Sequence, residues 1–247
     1  MLGSSQNIAM PNVVLNTAVA ESFRQFADRL EGAEDVRTEI SKLIRETFAA
    51  HKRIIFEGNG YSDEWKKEAE KRGLLNLVTS VDAYKRFADK KNIELFERHG
   101  VMSEVEVRSR QEILLENYSK IVNIEALTMI EMATRDIIPA VNSYIAEVAN
   151  TAAIKAQVIE NVNCTVERDI ITKLSNLNAK AYAALGELKK AEKDAAETAC
   201  AESRAEKYVD KVLPAMEKLR AYVDEMETLT ASEYWPLPSY GDLMFNI

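Results

Sequence analysis

The sequence predicts an all-α protein made of few, long helices, and three observations lead there. Turn-formers are scarce, with 8 Gly and 5 Pro in 247 residues, where an average soluble chain of this length carries about 17 and about 12. Apolar residues recur at helical spacing over long stretches. The ends of those stretches bear helix punctuation: a proline in a first turn, Ser, Thr or Asp ahead of acidic residues, and glycine after the last periodic residue. So few turns leave little room for an all-β fold, and a chain that is 47% hydrophobic is not Pro/Gly-rich disorder. The length allows one or two domains and a sizeable core.

Pro11 opens the first helix, where its missing N–H costs nothing. Val14, Ala18, Phe23, Phe26 and Leu30 then follow at helical spacing, and Gly32 ends the helix. The second is predicted over 35–56, with Val36, Ile40, Leu43, Ile44 and Phe48 along it and Ile54, Ile55 and Phe56 at its end. Gly58, Asn59 and Gly60 force a turn, because these residues tolerate positive φ. Ser62, Asp63 and Glu64 cap a short helix to Arg72 and place acids at its positive end. Gly73 stops it. Thr79 caps the next helix, with Asp82 three residues on as an imperfect capping box. A further short helix spans about 92–98 and ends at Gly100.

Ser103 and Glu106 form a proper capping box that opens the longest element, 104–159, interrupted only by Pro139. That is roughly 80 Å of helix. An internal proline removes one hydrogen bond and clashes with the preceding turn, so a kink is expected near 136–139. Leu114, Tyr118, Ile121, Leu127, Ile130, Ile137, Val141, Ile145 and Val148 form one apolar stripe. Ile124, Met129 and Met132 add a second face, which predicts that other helices enclose the middle of this one. A new helix runs from Thr165 to about 201. Its stretch 179–205 is rich in Ala, Lys and Glu with a thin apolar stripe, and it reads as an extended, partly solvent-facing hairpin arm. The last helix covers 202–229, with Pro214 as a bend. Together the long helices predict an antiparallel bundle.

Residues 232–247 break the pattern with Tyr234, Trp235, Tyr240, Phe245, Pro236 and Pro238. Left in solvent such an extended aromatic and proline-rich tail would be an apolar liability, so it is expected to dock on the bundle or a partner. The organisation that follows is short helices over 1–102, a long-helix bundle over 103–231 and a docking tail over 232–247. Trp235 is expected to be largely buried. Deletion of 234–247 is expected to cause aggregation or loss of assembly on size-exclusion chromatography, and a monodisperse, unchanged product would contradict this.

Charge excludes several partners. With 32 basic and 40 acidic residues the chain is net −8, opposite to the basic surplus of a nucleic-acid binder, and a basic membrane-surface mode is disfavoured alike. Cys164 and Cys200 lie far apart and suggest a reducing compartment. The first residues are not a secretory signal, and no apolar run is long enough to span a bilayer. The expectation is a soluble, cytoplasmic protein that binds neither nucleic acid nor membrane.

No catalytic set is visible. His51 and His99 stand outside metal-binding spacings, and Cys164 has no nearby partner, so all three read as structural or surface residues. Gly58, Asn59 and Gly60 resemble half of a phosphate loop, but no strand precedes them and no GK[ST] follows; a helix–helix turn is the simpler reading. Glu104, Glu106, Glu112, Glu116, Glu125 and Glu131 lack the Glu-x-x-His pairing of carboxylate metal bundles and read as a solvated face. The glycosylation patterns at Asn117 and Asn163 are discounted in a chain that does not look secreted. The sequence therefore offers no catalytic, cofactor-binding or metal-binding residue.

Several blocks in order resemble one family, the type III glutamine synthetases, in the region after their catalytic domain. They are MLGSSQNI at 1–8, PNVVLNT at 11–17, FADRLEG at 26–32, AHKRIIFEGNGYS at 50–62, RGLLNL at 72–77, LFERHGV at 95–101 and WPLPSYGDL at 235–243. The last is close to the family's WPLPTYGDLLF ending, with Ser239 in place of threonine. The resemblance covers essentially the whole chain. It implies that the family's metal-binding glutamates, nucleotide-binding residues and substrate arginines lie earlier, in a β-rich catalytic domain, so none is carried onto a position here. Met1 then looks like an internal residue of a longer enzyme, with residues 3–7 running near its active site. The resemblance implies ATP and Mg or Mn for the complete enzyme, a catalytic domain as partner, and homo-oligomeric assembly to which the bundle and tail contribute. The alternative is a free-standing helical interaction or regulatory protein derived from that region.

Overall fold

A computed structural model describes residues 7–245, and every regular element among them is helical. The eleven α-helices of these residues are α1 (Ala9–Leu30), α2 (Val36–Ala50), α3 (Asp63–Lys71), α4 (Ser80–Phe87), α5 (Lys90–Arg98), α6 (Glu104–Met132), α7 (Ile138–Val158), α8 (Thr165–Ala196), α9 (Ala201–Lys207), α10 (Leu213–Leu229) and α11 (Tyr240–Met244). The chain forms two compact units, Met1–Gln111 and Glu112–Ile247.

In the first unit, side-chain caps fix the helix starts. Asp35 accepts the N–H groups of Arg37 and Thr38 at α2, Ser62 accepts that of Trp65 at α3, and Thr79 with Asp82 closes a full capping box at α4. The second helix ends at Ala50, short of the predicted Phe56. Residues Lys52–Ile54 tighten into a 3-10 turn and Ile55 is extended. Tertiary contacts override helical preference there: the Phe56 ring stacks on Trp65 at 4.0 Å between centroids, and Arg72 donates to the carbonyls of Arg53 and Ile55. Gly58 completes that corner. Its φ is +155°, and a Cβ there would meet the Phe56 ring at 2.7 Å. The small core of this unit gathers Ile93, Phe96, Met102 and Val107, with Met10 and Val13 of α1 packed against it.

The second unit is built around α8, which packs against both α7 and α10. Leu174, Leu177, Ala181, Ala184, Leu185, Leu188 and Ala195 of α8 are all buried. One face of the Ala-rich stretch packs into the unit while Ala179, Tyr182, Ala183 and Glu187 stand exposed, so it is partly solvent-facing with a continuous buried stripe. Alanine there serves close approach: small side chains let α7 and α10 draw near while leucines fill the spaces between. The stripe predicted for the longest helix is displaced. Leu115, Ser119, Val122 and Ala126 are the buried row of α6, whereas Ile121, Ile124 and Leu127 are exposed, so the middle of α6 is not enclosed all round. Beyond it the predicted Ile137, Val141 and Val148 are buried.

Both internal prolines are met by a widened turn, not a helix break. A π turn, Ala133–Ile137, joins α6 to α7, and a second, Tyr208–Val212, joins α9 to α10. In each case one residue separates the π turn from the proline, Ile138 before Pro139 and Leu213 before Pro214. The N–H of Ile138 reaches the carbonyl of Ala133, and that of Leu213 reaches Tyr208. A proline ring normally collides with the carbonyl four residues back; the wider ladder moves those carbonyls, of Arg135 and Asp210, aside. After α10, Trp235 and Leu237 pack on the core of the unit, and Tyr234 lies 5.3 Å from Tyr144 between centroids. Trp235 is half-buried rather than enclosed, and its indole N–H has no acceptor. Further on, Tyr240, Leu243, Met244 and Phe245 stand exposed.

The seam of α8 has measurable consequences. Leu188→Ala is expected to cost about 2–5 kcal/mol in urea denaturation, and Ala184→Leu about 1–3 kcal/mol through overpacking. Ala183→Leu, on the exposed side of the same turn, should stay within about 0.5 kcal/mol of the parent. Equal effects at 183 and 184 would contradict the packing described.

Candidate functional site: charge clamps and an unpaired apolar face

The first unit is held by carboxylates that gather cations from two helices. Glu21 of α1 is buried and accepts hydrogen bonds from Arg24 (Nε and Nη2, 2.9 Å each), from Gln25 Nε2 (2.8 Å) and from Arg98 Nη1 of α5 (2.7 Å). His99 Nε2 lies 2.7 Å from its other oxygen. Hydrogen bonds from Arg24, Gln25 and His99 hold this carboxyl far below the usual carboxylate range, against the opposing effect of burial. With every lone-pair direction taken, Glu21 is a clamp between α1 and α5 rather than a reactive group. Arg29 does the same between α1 and α2. It donates from Nε to Glu39 at 2.8 Å and from Nη1 to Glu46, and the two carboxylates, Glu46 first, raise its already high value.

These clamps leave one side of the α1–α2 pair bare. At about 100° per residue, Thr17 and Glu21 of α1 share the face toward α5, and Phe26 and Arg29 share that toward α2. Leu15, Val19 and Phe23 fall on the same broad side of α1 as Phe26 and are exposed. On α2, Leu43 and Thr47 line the cleft that the two helices share, while Val36, Ile40, Ile44 and Phe48 repeat every fourth residue and are exposed. The helices are joined by the short connection 31–35 and run antiparallel. Seven large apolar side chains of this helix pair thus stand exposed beside the seam.

In the second unit the clamps tie α8 to its neighbours. Glu167 pairs with Lys155 of α7, and the adjacent Cys164 thiol points at the carbonyl of Ala152. Asp194, near the end of α8, accepts from Lys207 Nζ at 2.8 Å and Lys211 Nζ at 2.9 Å. Those two hydrogen bonds, Lys207 first, lower its pKa to about 2.

The residues weighed from sequence are dispersed. His51 is the exposed C-cap of α2, whereas His99 belongs to the Glu21 clamp. Asn59 Oδ1 accepts the N–H of Tyr61 at 3.0 Å and its carbonyl that of Ser62 at 3.2 Å, which makes the 58–60 segment a closed turn. Glu106 is occupied by its capping box with Ser103, Glu104 pairs with Arg108, Glu116 with Lys120, and Glu131 with Arg135. Asn117 and Asn163 are exposed; Cys164 is buried and Cys200 exposed, both as free thiols. Residues 1–6, including most of the MLGSSQNI block, lie outside the described residues. Among those described, no three His, Cys, Asp or Glu side chains converge. Sequence reasoning missed the Glu21 clamp, and no local signal offers it, since Arg98 stands 77 residues away.

Residues 39–156 match the glutamine synthetase C-terminal domain family. The chain is 36% identical over 214 residues to a glutamine synthetase of Butyrivibrio fibrisolvens, covering 87% of this chain and 31% of that protein. It is 32% identical to the type-3 glutamine synthetase of Dictyostelium discoideum, across 99% of this chain and 34% of that protein. A glutamine synthetase of Bacteroides fragilis (strain YCH46) is 28% identical over 99% of this chain and 35% of its own length. The chain belongs to the glutamine synthetase C-terminal domain family, and it matches the C-terminal region of type-3 enzymes. It spans about a third of the length of the curated relatives it matches.

Asp194 gives a pH signature. Its folded value lies below the ordinary 3.8, so its contribution is complete above about pH 4 and is lost as the pH falls toward 2. Asp194→Asn should melt below the parent at pH 6, with the gap narrowing steadily between pH 4 and pH 2 in melts followed by circular dichroism. A gap independent of pH would contradict the ionic origin of the clamp.

Proposed function

We propose that this chain is the structural, assembly-directing portion of a type-3 glutamine synthetase and does not catalyse ligation by itself. The complete enzyme would join glutamate and ammonia through a γ-glutamyl phosphate, with ATP and Mg or Mn held in its catalytic domain. The observation that carries this reading is the apolar face of α1 and α2. Burying a Leu, Ile, Val or Phe side chain is worth about 1.5–3 kcal/mol, and a monomer rarely leaves so many together in water. The occupant proposed is the catalytic domain of the same enzyme. The relatives, about three times as long as this chain, have the length to supply one. The exposed apolar side chains of α11 serve contacts between copies of the complete enzyme, which makes it a homo-oligomer. We place it in the cytoplasm, where the free thiols of Cys164 and Cys200 persist.

The test has two arms. The purified 247-residue chain, given glutamate, ammonia, ATP and Mg, should form no glutamine; measurable glutamine would overturn the division of labour. In a full-length enzyme carrying this sequence, Phe23→Asp together with Ile44→Asp should lower activity about tenfold or more and yield smaller species on size-exclusion chromatography. Each residue is already exposed in the isolated chain, so its own melting should change little. Full activity and native size in the double variant would remove the face from the interface and favour a free-standing interaction protein.

A further inference from the structure

The second unit carries a groove that its own core leaves open. The groove has a volume of about 460 Å³ and two helical walls. Glu125, Thr128, Met129 and Met132 recur along one side of α6, and Met216, Arg220, Val223, Asp224 and Glu227 along one side of α10. The close backbone packing of α8 on α7 and α10 is not repeated between α6 and α10, so the walls stand apart. Met129, Met132, Met216 and Val223 are only half-buried on the core, and Leu237 of the tail lines the groove beside them.

The lining decides what kind of occupant fits. A small-molecule site orients its ligand through a few polar groups set among apolar ones. Here the polar side chains stand exposed and are already engaged: Thr128 Oγ1 donates to the carbonyl of Ile124 at 2.8 Å, and Arg220 Nε donates to Asp224 at 3.3 Å. Among the described residues, no buried polar atom left without a partner belongs to the groove. Three methionines give it an adaptable apolar lining, the kind that accepts one face of a helix. Its charged residues are three acids, Glu125, Asp224 and Glu227, against Arg220 alone. The occupant therefore brings apolar side chains and keeps carboxylates off the seated side.

The helix α11 has that character. Tyr240, Leu243 and Met244 stand at i, i+3 and i+4, which places them within about 100° of arc, and all three are exposed. Asp242 lies on the opposite side, engaged with Ser239 in a capping box. Leu237, three residues ahead of α11, already lines the groove, yet no residue of α11 lines the groove of its own chain. A five-residue helix buries little by itself. Every copy carries one groove and one such helix, so a twofold axis closes both contacts at once and doubles the surface buried.

We propose that α11 of one copy seats Tyr240, Leu243 and Met244 in the α6–α10 groove of a second copy and receives that copy's α11 in return. This rests on the reading that α11 serves contacts between copies, and it names the surface that receives the helix.

The test is sedimentation equilibrium of the 247-residue chain in the Phe23→Asp, Ile44→Asp background, which takes the α1–α2 face out of play. A dimer should form at micromolar concentration. Leu243→Glu, at a position already exposed, and Met216→Glu in the groove should each weaken the dimer about tenfold or more. Each variant's fold is checked by its own melt. Thr128→Trp fills the groove from an exposed position of its wall, and it keeps the test decisive if Met216→Glu does not fold. An equimolar mixture of the helix variant and a groove variant should associate more tightly than either alone, since the intact α11 of one meets the intact groove of the other. Association lost with Leu243→Glu but untouched in the folded groove variants would overturn the proposal by placing α11 on another surface, and would leave contacts between copies standing. Association untouched by Leu243→Glu, or a monomer up to about 100 µM, would remove α11 from those contacts, so that the reading falls with the proposal. A mixture no tighter than its components would put α11 in the groove of its own chain and overturn the exchange.

Discussion

Close contact between α8 and the two helices beside it is the constraint on which the second unit rests. Ala181 and Ala184 in the interior bring backbones near one another, and Leu174, Leu185 and Leu188 then fill the remaining volume at nearly full burial. The polar contacts fall into place around that seam. Glu167 meets Lys155 because α7 lies alongside the start of α8, and Asp194 meets Lys207 and Lys211 because the chain returns past its end. Burial supplies the bulk of the stability, and the ion pairs, mostly half-exposed, set direction more than strength.

The first unit follows a different logic. Its apolar core is small, and its helix pairs are registered by single carboxylates or guanidiniums that reach two helices at once. Such clamps specify geometry without covering much surface. The outcome is a unit with ordered helices and an uncovered apolar side, which suits an element whose core is completed by a larger neighbour.

Much of this was legible in the sequence because it is local. Helix starts were written in Asp35, Ser62, Thr79 and Ser103, and the structure uses each of them as a cap. Side-chain size misled along α6: apolar spacing puts Ile121 and Leu127 in one stripe and Ile124 on a second face, yet Ser119, Val122 and Ala126 are the residues buried. The end of α2 was misplaced for another reason: Phe56 leaves the helix to stack on Trp65, a contact that no local pattern encodes. The Glu21 clamp was out of reach, because it joins residues of α1 and α5 that stand far apart in the chain.

The two π turns have an effect on phase. A regular helix returns to the same face after three or four residues in alternation, so a long run of fours drifts sideways by some 40° at each step. Across the first π turn the buried residues are Ala133, Ile137 and Val141, two successive fours with no drift off the core. The surplus rotation is absorbed in the wide turn. Each π turn thus acts as a one-residue phase corrector, set one position ahead of a proline, and it lets a single helical path change its frame while the same side keeps facing α8.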